Sequence, residues 1–177
     1  MAEEIEKKFL LSENGIEFIT DELHKIYSSM DALKGDVLAN GTPIKQGYLP
    51  LEAGEEIARL LNMEYDFKPN EARLRDKGGK LYFTIKGKGG VSRSELEEKL
   101  NQETFDRFWP KTEGKRVEKI RLNKPYQHNT LEIDVYTDRE LIVAEIEVPT
   151  IEKASLLIPF GKDVTEDSAY KNKNLAK

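Results

Sequence analysis

The sequence predicts an α+β fold in which about eight antiparallel strands close into a β-barrel with a charged lumen and helices packed outside. Strand-like segments recur along the chain, and nearly all of them alternate ionisable with apolar residues at a two-residue period. At least three amphipathic helical segments also need an apolar surface on which to pack. If these helices cover the apolar strand faces from outside, the charged faces line the interior. With 177 residues and 38% hydrophobic composition, we expect a single domain over residues 1–177.

The charge composition is high but balanced. Charged residues make up 34% of the chain, with 28 Lys and Arg against 33 Asp and Glu, so neither a nucleic-acid nor a membrane partner is expected. There is no cysteine for a disulfide or thiolate metal site, and no apolar run approaches the ~18 residues of a membrane span. The N-terminus lacks the layout of a signal peptide. These features favour a cytoplasmic protein.

The elements follow in order from periodicity and turn chemistry. The first strand is predicted over residues 3–11, and a helix over 21–30, where Leu23, Ile26, Tyr27 and Met30 share one face. A strand over 44–49 precedes a helix over 51–61. Further strands are predicted over 71–76, 81–86, 91–97, 116–122, 130–136 and 142–148, with a helix over 101–108 among them. Turns are predicted at 77–79, 87–90, 123–125 and 137–138, and a helical turn after Thr150 precedes a polar tail.

The two faces of these strands differ in chemistry. One face carries apolar residues such as Leu81, Phe83 and Ile85, and the same holds for residues 131, 133 and 135 and for residues 142, 144, 146 and 148. The opposite faces carry Lys45, Arg73, Arg75, Lys86, Arg93, Glu95, Glu97, Lys119, Arg121, Glu132, Asp134, Glu145 and Glu147. Such alternation is also typical of an ordinary sandwich whose charged faces lie in solvent. The number of helices favours the interior placement.

An interior of mixed charge favours a charged ligand. Desolvating acids and bases is costly unless they pair with each other or with a bound ion. Arginine offers forked donors to phosphate oxygens, lysine offers a point charge, and carboxylates are hard ligands for Mg²⁺ or Mn²⁺. The residue types therefore indicate a polyanion bound together with divalent cations.

Several motifs resemble those of one family, the CYTH superfamily or triphosphate tunnel metalloenzymes. The chain opens with Glu4-x-Glu6-x-Lys8, and the match continues through residues 44–49, Arg73-x-Arg75, residues 84–87, Arg93-x-Glu95-x-Glu97, Lys119-x-Arg121, Glu132-x-Asp134, Glu145-x-Glu147 and residues 164–175. It covers essentially the whole chain in order. The resemblance implies an eight-stranded antiparallel tunnel that binds a triphosphate with a divalent metal. Residues 51–70 form a longer segment than in the compact bacterial members that the chain resembles.

The resemblance and the charged strand faces together give the candidate site residues. We predict catalytic roles for Glu4, Glu6, Lys8, Arg75 and Lys86. We predict substrate binding by Lys8, Lys45, Arg73, Arg75, Lys86, Arg93, Lys119 and Arg121. We predict Mg²⁺ or Mn²⁺ binding by Glu4, Glu6, Glu95, Glu97, Glu132, Asp134, Glu145 and Glu147.

The predicted activity is divalent-metal-dependent hydrolysis of a triphosphate, with inorganic tripolyphosphate cleaved to pyrophosphate and phosphate. An adenylate cyclase of the class IV type and a nucleoside or thiamine triphosphatase are alternatives, because the family includes different triphosphate chemistries. A non-catalytic polyphosphate-binding module is a third reading. The expected partner is a small-molecule triphosphate, and the sequence leaves monomer and homodimer open.

Overall fold

The structure is a computed structural model that describes residues 2–89 and 91–177, with side chains from Ile5 onward. In these residues the strands are β1 (Ala2–Glu13), β2 (Ile16–Glu17), β3 (Thr42–Tyr48), β4 (Pro69–Lys77), β5 (Lys80–Gly87), β6 (Ser92–Lys99), β7 (Arg116–Tyr126), β8 (Asn129–Tyr136), β9 (Leu141–Glu147) and β10 (Lys162–Asp163). The α-helices are α1 (Asp21–His24), α2 (Met30–Asn40), α3 (Leu51–Leu60), α4 (Gln102–Phe108), α5 (Ile151–Ser155) and α6 (Asn172–Leu175).

The strands belong to one sheet whose order of neighbours is β10-β1-β6-β5-β4-β3-β7-β8-β9. Because β1 also pairs with β9, eight of the strands follow one another in a ring of pairings, while β2 and β10 each pair with β1. The ladders β3–β4, β4–β5, β5–β6, β7–β8, β8–β9 and β9–β1 are antiparallel. The predicted fold class, an α+β protein with a closed antiparallel sheet of about eight strands, is confirmed.

The Cα positions divide the chain into two compact units. The first unit contains residues 1–4, 44–117 and 168–177, and the second contains residues 5–43 and 118–167. A single domain over residues 1–177 therefore stays a prediction, and each unit is described by itself.

In the first unit, helix α3 packs on the apolar face of β4 and β5. Ile57 of the helix, Leu74 of β4 and Phe83 of β5 are fully buried in one cluster. The close approach of helix and strand requires glycine, because a Cβ at Gly54 would lie 2.3 Å from the Ala72 Cβ. The predicted helix over 51–61 is confirmed, and it covers the face predicted to be apolar.

In the second unit, helix α2 packs beside β8. The apolar faces of β8 and β9 are fully buried, as Ile133, Ala144 and Ile146 show. Phe160 contacts the same core through an edge-on contact with Phe9, the ring centroids being 5.7 Å apart. The predicted separation of apolar and charged faces holds in these strands.

The predicted helix over residues 21–30 is wrong in its extent. Helix α1 ends at His24, and a new helix begins at Met30. Ser29 is extended and its hydroxyl accepts a hydrogen bond from the Ala32 N–H at 3.1 Å, so it caps the start of α2. The periodic spacing of apolar residues continued across this break and concealed it.

The predicted turn at residues 123–125 is also wrong. Strand β7 continues to Tyr126, with Pro125 opposite Thr130, and the chain reverses at Gln127, whose φ is +53°. Lys124 forms an ion pair with Asp36 at 2.7 Å, which holds this part of the strand against the rest of the unit. Proline is compatible with such a strand end.

Among the described residues, no helix combines the length and the apolar character needed to cross a membrane.

Candidate functional site

In the first unit, strand register gathers charged side chains on the face opposite α3. Arg73 lies opposite Thr84, which in turn lies opposite Glu97. Because cross-strand partners project to the same side of a sheet, these residues share one face. We call this group the Arg73 cluster: Tyr48, Glu71, Arg73, Arg75, Thr84, Lys86, Arg93, Glu95 and Glu97.

Ion pairs of varied length connect the Arg73 cluster. Lys86 Nζ lies 2.8 Å from Glu95 Oε2, and Arg93 Nη1 lies 3.7 Å from Glu71 Oε2. Glu97 Oε2 accepts a hydrogen bond from Thr84 Oγ1 at 2.7 Å. The same oxygen is 3.8 Å from Arg73 Nη2 and 4.0 Å from Arg75 Nη1.

Arg73 is the most deeply buried arginine of this cluster. The side chain is 6% exposed, and within the described residues its Nε is buried without a hydrogen-bond partner. Its Nη2 donates to Thr84 Oγ1 at 3.3 Å. A buried guanidinium with a donor left over fits an anionic oxygen such as that of a phosphate.

In the second unit, register gathers another set of charged side chains on one face. Arg121 lies opposite Asp134, Glu132 lies opposite Glu145, and Glu145 lies opposite Lys8. We call this group the Arg121 cluster: Lys8, Lys119, Arg121, Glu132, Asp134 and Glu145.

The Arg121 cluster is tightly bonded. Arg121 Nη1 donates to Glu132 Oε2 at 2.5 Å, and its Nε and Nη2 donate to the two oxygens of Asp134 at 2.6 and 2.7 Å. Lys119 Nζ donates to Asp134 Oδ2 at 2.6 Å. Glu145 Oε1 lies 3.3 Å from Lys8 Nζ and 3.7 Å from Arg121 Nη2.

Burial and neighbouring charge shift the pKa values in this cluster. Burial lowers the pKa of Lys119 to about 8, with the positive charge of Arg121 adding to the effect and Asp134 opposing it. Burial alone would raise the pKa of Glu145, but Lys8 and Arg121 hold that pKa well below its usual range. Such perturbed values are typical of functional sites as well as of structural ion pairs.

A cavity of about 350 Å³ in the second unit lies beside two predicted metal ligands. Glu132 and Glu147 line it together with His128, Asn129 and Thr130. Glu6 pairs with Glu147 across the β1–β9 ladder. Carboxylates from β1, β8 and β9 therefore lie on one face of this unit.

One predicted site residue, Lys45, lies apart from these groups. Lys45 is exposed and lies opposite Asp76, so it projects to the face of Leu74 rather than to that of Arg73 and Arg75. The Glu4 side chain lies outside the described residues.

Sequence reasoning missed Gln46 and Tyr48, which take the place on β3 that Lys45 was expected to hold. Gln46 lies opposite Arg75, and Tyr48 lies opposite Arg73. Gln46 Nε2 donates to Tyr48 Oη at 2.9 Å, and burial followed by the charge of Glu71 raises the pKa of Tyr48. Strand parity alone could not identify them, because the register with β4 decides which parity of β3 shares the charged face. Gly47 projects to the other face, where a Cβ would lie 2.5 Å from Thr112.

A divalent cation fits the donor chemistry of these residues. Glu145 Oε1 is buried and, within the described part of the chain, makes ion-pair contacts without hydrogen-bond geometry. No group of three or more His, Asp or Glu side chains in that part is arranged to hold a metal ion. Mg²⁺ usually binds through one or two carboxylates together with substrate phosphates, so a smaller carboxylate set suffices.

The fold and the two charged clusters define the class of protein: an α+β protein with a ring of eight strands and buried cationic faces suited to an anionic ligand. Over 179 aligned residues the chain is 34% identical to an inorganic triphosphatase from Nitrosomonas europaea, covering 98% of this chain and 96% of that protein. The chain belongs to the inorganic triphosphatase family, and the resemblance found in its motifs is confirmed.

Two solved structures have the same fold as this chain. The crystal structure of an inorganic triphosphatase is similar with a TM-score of 0.56 and 29% identity, covering 99% of this chain and 95% of that one. A Bacillus halodurans protein described as a candidate adenylate cyclase shares the fold, with a TM-score of 0.52 and 16% identity over 88% of this chain and 87% of that one. No family model matches the chain.

Proposed function

We propose that this protein hydrolyses inorganic tripolyphosphate to pyrophosphate and orthophosphate in the presence of Mg²⁺ or Mn²⁺. In this reaction a water molecule adds to a terminal phosphorus and one P–O–P bond breaks. The observation that carries the proposal is the buried Arg73, whose Nε has no hydrogen-bond partner among the described residues, in a chain that matches an inorganic triphosphatase over 98% of its length.

The cationic side chains bind and orient the phosphates in this proposal. Arg73 and Arg75 offer forked donors, while Lys8 and Lys86 offer point charges that move little because each is already held by a carboxylate. Donors fixed in advance stabilise the charge that develops on phosphate oxygens during cleavage.

One or two carboxylates out of Glu6, Glu132, Glu145 and Glu147 would hold the metal together with substrate phosphates. When bound, a divalent ion neutralises phosphate charge and acidifies water. Glu145 supports this role because cations keep its carboxylate ionised despite burial, and an ionised carboxylate is the form that binds Mg²⁺. A cytoplasmic location stays a prediction from the sequence.

A substrate panel tests the proposal. The purified protein is incubated with inorganic tripolyphosphate, ATP, GTP and thiamine triphosphate, each with Mg²⁺ or Mn²⁺, and all products are identified. We expect tripolyphosphate to have the highest kcat/KM. A cyclic nucleotide with pyrophosphate would indicate a cyclase instead, and binding of tripolyphosphate without products would indicate a binding module.

A further inference from the structure

Asp134 is the most completely enclosed acid of the Arg121 cluster. Its side chain is 0% exposed, as is that of Lys119. Oδ1 accepts from Arg121 Nε at 2.6 Å, while Oδ2 accepts from Arg121 Nη2 at 2.7 Å and from Lys119 Nζ at 2.6 Å. One carboxylate therefore serves two cations through three short hydrogen bonds.

The sequence favours this arrangement. Arg121 and Asp134 are direct partners in the β7–β8 ladder, and Lys119, two residues before Arg121 on β7, shares the same face. A guanidinium and a carboxylate opposite each other form a bidentate pair with fixed planes. Burial raises the pKa of Asp134, but Arg121 and Lys119 outweigh burial and lower it. The acid thus stays ionised as a counter-charge.

The bidentate contact leaves one end of the guanidinium for other partners. Arg121 Nη1 points to Glu132 Oε2, and Nη2 also lies 3.7 Å from Glu145 Oε1. Without the hydrogen bonds to Asp134, the guanidinium could change its orientation by rotation about the single bonds of the Arg121 side chain. The orientation of Nη1 and Nη2 toward these other partners therefore depends on Asp134.

We propose that Asp134 is a positioning residue that fixes the Arg121 guanidinium and the Lys119 ammonium, and that it does not bind the metal. A metal ion on either oxygen would have to displace a hydrogen bond from a buried cation. This assignment replaces the metal role predicted for Asp134 from the sequence. The proposal rests on the proposed function in one respect, which is the use of tripolyphosphate as a binding probe.

The first test compares Asp134→Asn with Glu147→Gln. Both changes keep side-chain size and remove one negative charge. In chelator, we expect Asp134→Asn to weaken calorimetric binding of inorganic tripolyphosphate about tenfold, because its amide nitrogen cannot accept from Arg121 or Lys119. Its Mn²⁺ affinity, measured by electron paramagnetic resonance, should match the wild type, whereas Glu147→Gln should weaken Mn²⁺ binding.

Adding Arg121→Lys shows whether Asp134 acts through Arg121. Arg121→Lys keeps the charge but loses the fork, so Asp134→Asn should weaken tripolyphosphate binding much less in that background than in the wild type. Full additivity, wild-type binding by Asp134→Asn, or a large loss of Mn²⁺ affinity in that variant would overturn the proposal.

The second test uses the wild-type protein and needs no phosphate probe. The Arg121 Nε–H proton, assigned by its loss in Arg121→Lys, should exchange slowly with solvent, and saturating Mg²⁺ should leave that rate unchanged. Faster exchange with Mg²⁺ would show that the ion takes Asp134 from Arg121 and would contradict the proposal, even if the Asp134 variant did not fold. A wild type that neither binds nor cleaves tripolyphosphate would refute the proposed function and leave this result intact.

Discussion

The arginines of the Arg73 cluster differ in their exposure and in the lengths of their ion-pair contacts. Arg75 is 14% exposed on its side chain and lies 4.0 Å from Glu97 Oε2, a long contact for a charge pair. A contact of this length costs less to exchange for a phosphate oxygen than a short ion pair does.

Replacing Arg75 with lysine tests the need for the fork. Lysine keeps the charge and loses the second donor, so if Arg75 clamps the phosphate that is transferred, kcat and kcat/KM should fall together. The loss should be about 10²-fold, typical of one transition-state donor. Steady-state kinetics with tripolyphosphate provide the measurement, and Lys45→Arg, on the opposite strand face, is the control. Unchanged kcat and KM in a folded Arg75→Lys protein would exclude such a role.

Two glycines inside helices differ in the space that the packing of neighbouring elements leaves for a side chain. A Cβ at Gly54 of α3 would lie 2.3 Å from Ala72 on β4, whereas a Cβ at Gly35 of α2 would meet nothing within 4 Å. Both glycines lie inside helices. The same substitution should therefore have opposite effects at the two sites.

Gly54→Ala should lower the free energy of unfolding by about 1–3 kcal/mol, because helix and strand must move apart. Gly35→Ala should raise it by up to about 1 kcal/mol, since alanine loses less backbone entropy in a helix. Urea unfolding of both variants checks this. Equal effects of the two changes would mean that α3 does not pack on β4 as closely as described.

A second contact between elements predicts a pH dependence. Asp36 of α2 accepts hydrogen bonds from Lys124 of β7 and from Tyr27 and Asn40, at 2.7, 2.7 and 2.8 Å. The bonds from Lys124 and Tyr27 lower the pKa of Asp36 from 3.8 to about 2. Because the folded protein then binds fewer protons in acid than the unfolded chain, this contribution is present above about pH 4 and disappears toward about pH 2.

Asp36→Asn should therefore be less stable than the wild type near neutral pH, and the difference should shrink as the pH falls below about 4. Urea unfolding at a series of pH values measures it. A difference that stays constant down to the acid limit of folding would show that the charge of Asp36 contributes nothing.

For the whole molecule, the division of apolar and charged faces was predictable because side chains alternate strictly along a strand. The ring of strand pairings was predictable from the number of strands and helices and from the family resemblance. Sequence patterns could not reveal where a partner strand takes up its register. Lys45 and Gln46 are adjacent, and only the pairing of Gln46 with Arg75 shows which of them shares the charged face. The break between α1 and α2 likewise depends on a cap at Ser29 rather than on periodicity.

Membership of the inorganic triphosphatase family and two clusters of buried charge support the proposed metal-dependent cleavage of inorganic tripolyphosphate. Phosphorus NMR follows substrate and both products in one sample. With Mg²⁺ or Mn²⁺ we expect tripolyphosphate to give pyrophosphate and orthophosphate in equal amounts, and excess chelator to stop the reaction. The absence of products with either metal would contradict the proposed hydrolysis, and an undiminished rate in chelator with metal-free protein would contradict its dependence on metal.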